Sequence, residues 1–383
     1  QKQLFAGIES VEAADPLTVR VTLTAPDGNF AFNMAWGDAV IMSPGSVATN
    51  ATSPVGTGPF RFANWVQGDR VELVANPDYW GEPAKLSRAT FKFISDPSAA
   101  FAAMMAEDVD VFPVFPAPET LVQFEADPRF SVIVGSTEGE TILAMNNRQP
   151  PLDDVRVRRA LIHAIDVPGI VRFVGPDVAQ LWPSPVPPGY LGAIADVPTY
   201  PHDPARTLLA EAGHPQGVTL KAVVSSITAQ LPIMEVIQAQ LAQSGITMNM
   251  EVVDHPTYHE MIRQDVSGAV FYGAARFPVA DSYLTEFYHS AAIVGKPTAV
   301  TNFSHCDVAD AQIEAARVET DPERQLEHWA EAQRLIHEEI CAVPLFNLRQ
   351  VWLRNDRLDY GFELEGAMNL IPPINELTRL DAN

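Results

Sequence analysis

The chain has 383 residues, 25 Lys and Arg against 48 Asp and Glu, and a net charge of −23 at neutral pH. A surplus of that sign argues against a phosphate backbone or an anionic membrane surface as partner, and it favours solubility. With 47% hydrophobic and 19% charged residues the composition is that of an ordered globular protein, and the length suffices for two or three domains with substantial cores.

In chain order, Thr18–Leu23 alternates as a strand and Pro26-Asp27-Gly28 turns after it. Residues 53–60, Ser-Pro-Val-Gly-Thr-Gly-Pro-Phe, are a loop, because Pro54 and Pro59 fix φ while Gly56 and Gly58 admit positive φ. Phe60, Phe62 and Trp65, the break at Gln67-Gly68-Asp69, and Val71-Glu72-Leu73-Val74 predict a hairpin that Pro77-Asp78 ends. Short strands then alternate with helices at 98–107 and 118–125. A strand over 141–146 leads to Asp154, an N-cap for a helix whose Val157, Leu161, Ala164 and Ile165 share one face. Arg156, Arg159 and His163 lie elsewhere on that wheel and read as a solvated face rather than an anion site.

Six prolines between Pro183 and Pro201 predict a long ordered loop over 175–204. Beyond it come a strand at 218–224, a helix at 229–243, a strand at 247–253, a helix at 258–265 and a strand at 269–272, the pattern of a partly parallel sheet covered by helices. Two helical patterns follow, 308–318 and 322–340. If they pack antiparallel, their outer ends bring Cys306 and Cys341 within bonding reach; two separate buried thiols are the other reading. No run approaches the roughly 18 apolar residues of a membrane span, so no direct membrane insertion is expected.

Nothing in the sequence demands catalysis. A phosphate loop, a nucleophile elbow and a paired zinc motif are all missing, and neither cofactor nor metal is expected. His255-Pro256-Thr257-Tyr258-His259-Glu260 offers two imidazoles, but a metal needs both on one helical face. Pro256 is expected to place His255 ahead of the helix, so the pair reads as surface or capping histidines.

The loop and hairpin of residues 53–81, ending in Asn76-Pro77-Asp78-Tyr79-Trp80-Gly81, resemble the family 5 solute-binding proteins of bacterial ABC importers, which carry oligopeptides, dipeptides, nickel complexes and related solutes. Further motifs recur in the same order: Pro151-Leu152-Asp153-Asp154-Val155-Arg156-Val157-Arg158-Arg159-Ala160-Leu161, Asp203-Pro204-Ala205 with Leu208-Leu209-Ala210-Glu211-Ala212-Gly213, Ala332 to Glu339, and Val343-Pro344-Leu345-Phe346. The resemblance implies an α/β, two-lobed periplasmic-binding-protein-like fold (type II, cluster C-like) with mixed sheets. Residues 1–52 would be a remnant of an accessory domain, 53–136 the first lobe, 137–355 the second and 356–383 a return to the first. It also implies on the order of a hundred earlier residues, so the chain is expected to be a fragment that binds solute more weakly than the complete protein.

The implied function is binding without chemistry: a periplasmic or lipid-anchored receptor that closes on a peptide or related solute by hinge motion and passes it to the transmembrane subunits of a permease. A solute-sensing receptor that hands its bound state to a signalling partner is the alternative. In peptide-binding relatives the end of the 269–272 strand carries an aspartate for the peptide ammonium. Counting back from Tyr283, that position is Arg276, unless a one-residue gap moves it to Ala275 or the side chain points outward. A guanidinium grips a carboxylate instead, which shifts the expected ligand toward anionic peptides, opine-like conjugates or other acidic solutes. Tyr272, Phe277 and Trp182 are candidate cleft aromatics, each also readable as core. Asn146, Asn147 and Arg349 flank the expected crossings between lobes.

Overall fold

The computed structural model describes residues 5–35, 39–113, 115, 117–203, 205–227, 229–275, 278–295, 301–363 and 373–381. Strands β1 (Ile8–Asp15) and β2 (Thr18–Leu23) pair antiparallel, and a short helix α1 (Phe30–Met34) follows. A three-stranded antiparallel sheet comes next, with β3 (Phe60–Val66) against β4 (Arg70–Ala75) and β4 against β5 (Arg88–Lys92). Then come α2 (Pro97–Met105), β6 (Val111–Phe112) and α3 (Leu121–Glu125). Helix α2 starts where it does because the Asp96 carboxylate accepts from the Ala99 N–H at 2.7 Å while Pro97 occupies a first-turn position that needs no donor.

Long strand β7 (Phe130–Met145) leads to α4 (Val155–Ala164), α5 (Val167–Val174) and β8 (Ala179–Gln180). After the proline-rich loop the elements are α6 (Arg206–Glu211), β9 (Val218–Ser225), α7 (Leu231–Gln243), β10 (Ile246–Val253), α8 (His255–Arg263), β11 (Ala269–Ala275), α9 (Ala280–Tyr288), α10 (Asp310–Val318) and α11 (Pro322–Glu338). Strands β12 (Ala342–Asn355), β13 (Leu358–Asp359) and β14 (Arg379–Leu380) close the chain.

Two compact units result: Gln1–Ala35 with Thr137–Leu348, and Trp36–Ser136 with Arg349–Asn383. In the first, the sheet order is β10–β9–β11–β7–β12, with β8 on β12. The β10–β9 and β9–β11 pairs are parallel and β11–β7 is antiparallel, so the sheet is mixed. Gly217 opens β9 at φ +88°, and a Cβ there would meet the Gly245 carbonyl oxygen at 2.1 Å, so the backbone approach that starts the parallel pair needs glycine. Leu143, Met145 and Phe271 of the sheet pack with Leu161, Ile170 and Ile237 of the helices in one buried core. Inside it Arg158, 1% exposed, ties α4 to the end of α11, donating to the Glu339 carbonyl at 2.7 Å, the Leu152 carbonyl at 2.8 Å and the Glu339 carboxylate at 2.5 Å. Arg156 and Arg159 on the same helix are exposed.

The second unit is held by aromatic edges. Phe124 meets Phe101, Phe115 and Phe130 at centroid distances of 5.2, 5.4 and 5.2 Å, a geometry worth about 0.5–1.5 kcal/mol per pair beyond area burial. Glu107 receives Arg129 at 2.9 Å and Arg357 at 3.0 Å, which joins the end of α2 to the turn after β12.

One expectation fails. Helix α8 begins at His255, three residues before the expected start, because Asp254 caps it: its carboxylate accepts from the Thr257 N–H at 3.1 Å and the Thr257 hydroxyl at 2.6 Å. Pro256 sits in the first turn, where proline lacks only a donor that has no intrahelical partner. His255 and His259 consequently share one face.

Candidate functional site

The site expected from sequence centres on the end of β11, and in the first unit the elements around it are tightly specified. Tyr283 of α9 donates its hydroxyl to the Ala274 carbonyl at 2.7 Å, fixing helix to strand. Leu191 donates to the Pro278 carbonyl at 2.9 Å and Ala280 donates back to Leu191 at 2.8 Å, so the proline-rich loop is stitched to the start of α9. Gly192 allows that approach: at φ +86°, its Cβ would lie 2.7 Å from the Trp329 ring and 2.9 Å from the Ala280 Cβ. Gln333, fully buried on α11, donates to the Gly192 carbonyl at 2.7 Å and accepts from the Ser184 hydroxyl at 2.8 Å, pinning two points of the loop.

Tyr272 is half-buried on β11, its ring 5.0 Å from Phe303, 5.9 Å from Phe287 and 6.3 Å from His259. Trp182 is half-buried in the loop and its indole N–H donates to the Val186 carbonyl at 2.6 Å. Asn146 is buried: its Oδ1 accepts from the Arg148 N–H at 3.1 Å and its Nδ2 donates to Asp265 at 3.1 Å. The Asn147 backbone N–H donates to the Ser304 carbonyl at 2.9 Å, while its Oδ1 is buried without a hydrogen-bond partner. Arg349 lies half-buried on β12, in the second unit. Arg276 and Phe277 lie outside the described residues.

Segment 301–306 brings several of these together. Phe303 touches Tyr272, Ser304 receives Asn147, and His305 meets the Asp265 carboxylate at 2.8 Å, the same group that holds Asn146. Asn302, fully buried, donates to the His289 carbonyl at 3.0 Å and the Cys306 carbonyl at 2.7 Å. Cys306 is disulfide-bonded to Cys341, with the Cα atoms 5.7 Å apart. Sequence reading missed Asn302 and Gln333, since a buried amide is recognisable only from the partners tertiary structure supplies.

A perturbed carboxyl lies one strand over. Glu140 on β7 pairs in register with Ala274, is 5% exposed, and has its Oε1 buried without a hydrogen-bond partner. Burial alone pushes its carboxyl well above the ordinary range, and burial followed by the nearby Glu140 raises Tyr288 likewise. Asp281, in the first turn of α9, is raised by burial despite Arg317 at 3.5 Å. These are the features of a polar interior beside a strand end.

The model of the bacterial extracellular solute-binding proteins, family 5 middle region, matches residues 1–294. This chain belongs to that family. A further solute-binding protein, MoaA of A. tumefaciens R10, solved in complex with mannopinic acid, is 40% identical with a TM-score of 0.80 over 99% of this chain and 78% of that one. Heme-binding protein A of Haemophilus influenzae is 26% identical over 88% of this chain and 64% of its own length. Di/tripeptide-binding protein 2 of Pseudomonas aeruginosa is 27% identical over 90% of this chain and 67% of its length. The chain thus spans about two thirds of these two relatives. Its fold is that of the type II periplasmic binding proteins, and among the described residues no helix is long and apolar enough to cross a membrane.

Proposed function

We propose that this solute-binding protein is the receptor component of an ABC importer, periplasmic or lipid-anchored outside the cell, that takes an acidic, opine-like solute between two lobes and delivers it to a membrane permease. The lobes would be built on residues 53–136 with 356–383 and on 137–355. Residues 1–52 would be a remnant of an accessory domain. The observation that carries the ligand class is the 40% identity to a receptor solved with mannopinic acid, against 27% to a di/tripeptide-binding protein. Arg276, standing where peptide-binding relatives are expected to carry an aspartate, supports the same class through charge. Tyr272, Phe277 and Trp182 would supply apolar walls, and Asn146, Asn147 and Arg349 polar contacts. Work of this kind needs binding and closure, with no covalent step.

Mass spectrometry of the small molecules released when the purified protein is denatured tests the reading. A solute of net negative charge is expected; a neutral or basic peptide as the dominant species would contradict it.

A further inference from the structure

We propose that His255 and His259 form a two-imidazole site for a divalent transition-metal ion on the first unit. The cap at Asp254 sets α8 so that the two rings stand one turn apart on the same face, and their Nε2 atoms are 3.1 Å from each other. Both residues are half-buried.

The proton positions follow from the neighbours. Arg263 has only donors, and its guanidinium lies 3.2 Å from the His259 Nδ1, so that nitrogen accepts and His259 carries its proton on Nε2. The Nε2–H then donates to the His255 Nε2, whose own proton sits on Nδ1 and is directed at the Ser225 hydroxyl oxygen 2.9 Å away. Two imidazoles thus share one proton along a directed chain.

A metal ion can take the place of that proton. With metal–nitrogen bonds of about 2.0–2.1 Å, a 3.1 Å separation corresponds to a nitrogen–metal–nitrogen angle of about 98°, between tetrahedral and octahedral values. The balance is simple: His255 binds through the Nε2 lone pair it already exposes, and His259 moves its proton from Nε2 to Nδ1, so no proton leaves the pair. Arg263 gives up its bond to Nδ1 and keeps the 2.8 Å bond to the His259 carbonyl. Ser225 orients the first ligand from behind, the usual arrangement around a coordinating histidine.

Imidazole donors suit Zn²⁺, Ni²⁺ and Cu²⁺ rather than Mg²⁺ or Ca²⁺. Among the described residues no group of three or more His, Cys, Asp or Glu side chains is placed to hold a metal. The protein therefore contributes two donors, and water or a small chelating solute completes the coordination.

Calorimetric titration of the protein with Ni²⁺ tests this, alongside His255→Gln, His259→Gln and Arg263→Gln. Wild type should show one saturable site, each histidine variant should weaken it at least 10-fold, and Arg263→Gln should bind as tightly as wild type or tighter, because it removes a neighbouring cation and no donor. Either histidine variant titrating like wild type overturns the proposal. So does loss of the site in Arg263→Gln together with the others, which would mark a general effect on α8, and so does a wild type without a 1:1 site.

Discussion

At the scale of single residues, Glu140 is a carboxyl buried within the first unit. Glu140 is buried with an unpartnered oxygen, and burial alone raises its carboxyl well above the ordinary range. The unfolded chain ionises this group above pH about 4.3, while burial in the folded chain moves its ionisation to higher pH. Below that pH both states are protonated and the group contributes no pH dependence. As pH rises toward the folded value, only the unfolded state gains the favourable ionisation, so stability is lost with rising pH. Glu140→Gln removes that slope. Thermal unfolding should show the variant melting close to wild type at pH 4 and above wild type at pH 8. A variant that melts below wild type at pH 8 by as much as at pH 4 would show that the carboxyl makes interactions its amide cannot replace.

At the scale of elements, helix starts were the most legible features of the sequence. Asp154, the cap read from the sequence, is where α4 begins, and α2 and α11 likewise start on an aspartate cap followed by a first-turn proline, Asp96-Pro97 and Asp321-Pro322. The same chemistry at Asp254-His255-Pro256 was misread by treating the proline as a break, and the error hid the shared face of the two histidines. Strand β7 runs 16 residues although only its last part reads as a strand, because its glycines at 135 and 139 weaken the local pattern while tertiary pairing sustains it. Helices α10 and α11 form the expected hairpin, and their outer ends are joined by the bond between Cys306 and Cys341, 35 residues apart in sequence. Closing a loop of that length stabilises a fold by about 3–4 kcal/mol in the chain-entropy view. Because Cys306 ends the segment that touches Tyr272, Asn147 and Asp265, reduction should reach the candidate site as well. Dithiothreitol is expected to lower the melting temperature by roughly 5–10 °C and to increase amide exchange in residues 301–306. Unchanged exchange in that segment would mean that Asn302 and His305 hold it unaided.

At the scale of the whole molecule, the family was legible from ordered motifs and the ligand was not. Five blocks in register mark a solute-binding protein, yet each of them shapes loops, caps and helix packing, and so says little about what is bound. Ligand class rests instead on one charge at Arg276 and on likeness to a receptor solved with an acidic solute. Calorimetric titration of wild type and Arg276→Asp with mannopinic acid and with a neutral dipeptide tests that claim most directly. Wild type is expected to prefer the acid. The substitution should cost more than the roughly 1.5–3 kcal/mol of a lost charge-assisted hydrogen bond, because it sets like charges together, and it should improve affinity for the dipeptide ammonium. Equal affinities of wild type and variant for the acid, or a wild type that binds the dipeptide more tightly than the acid, would contradict it.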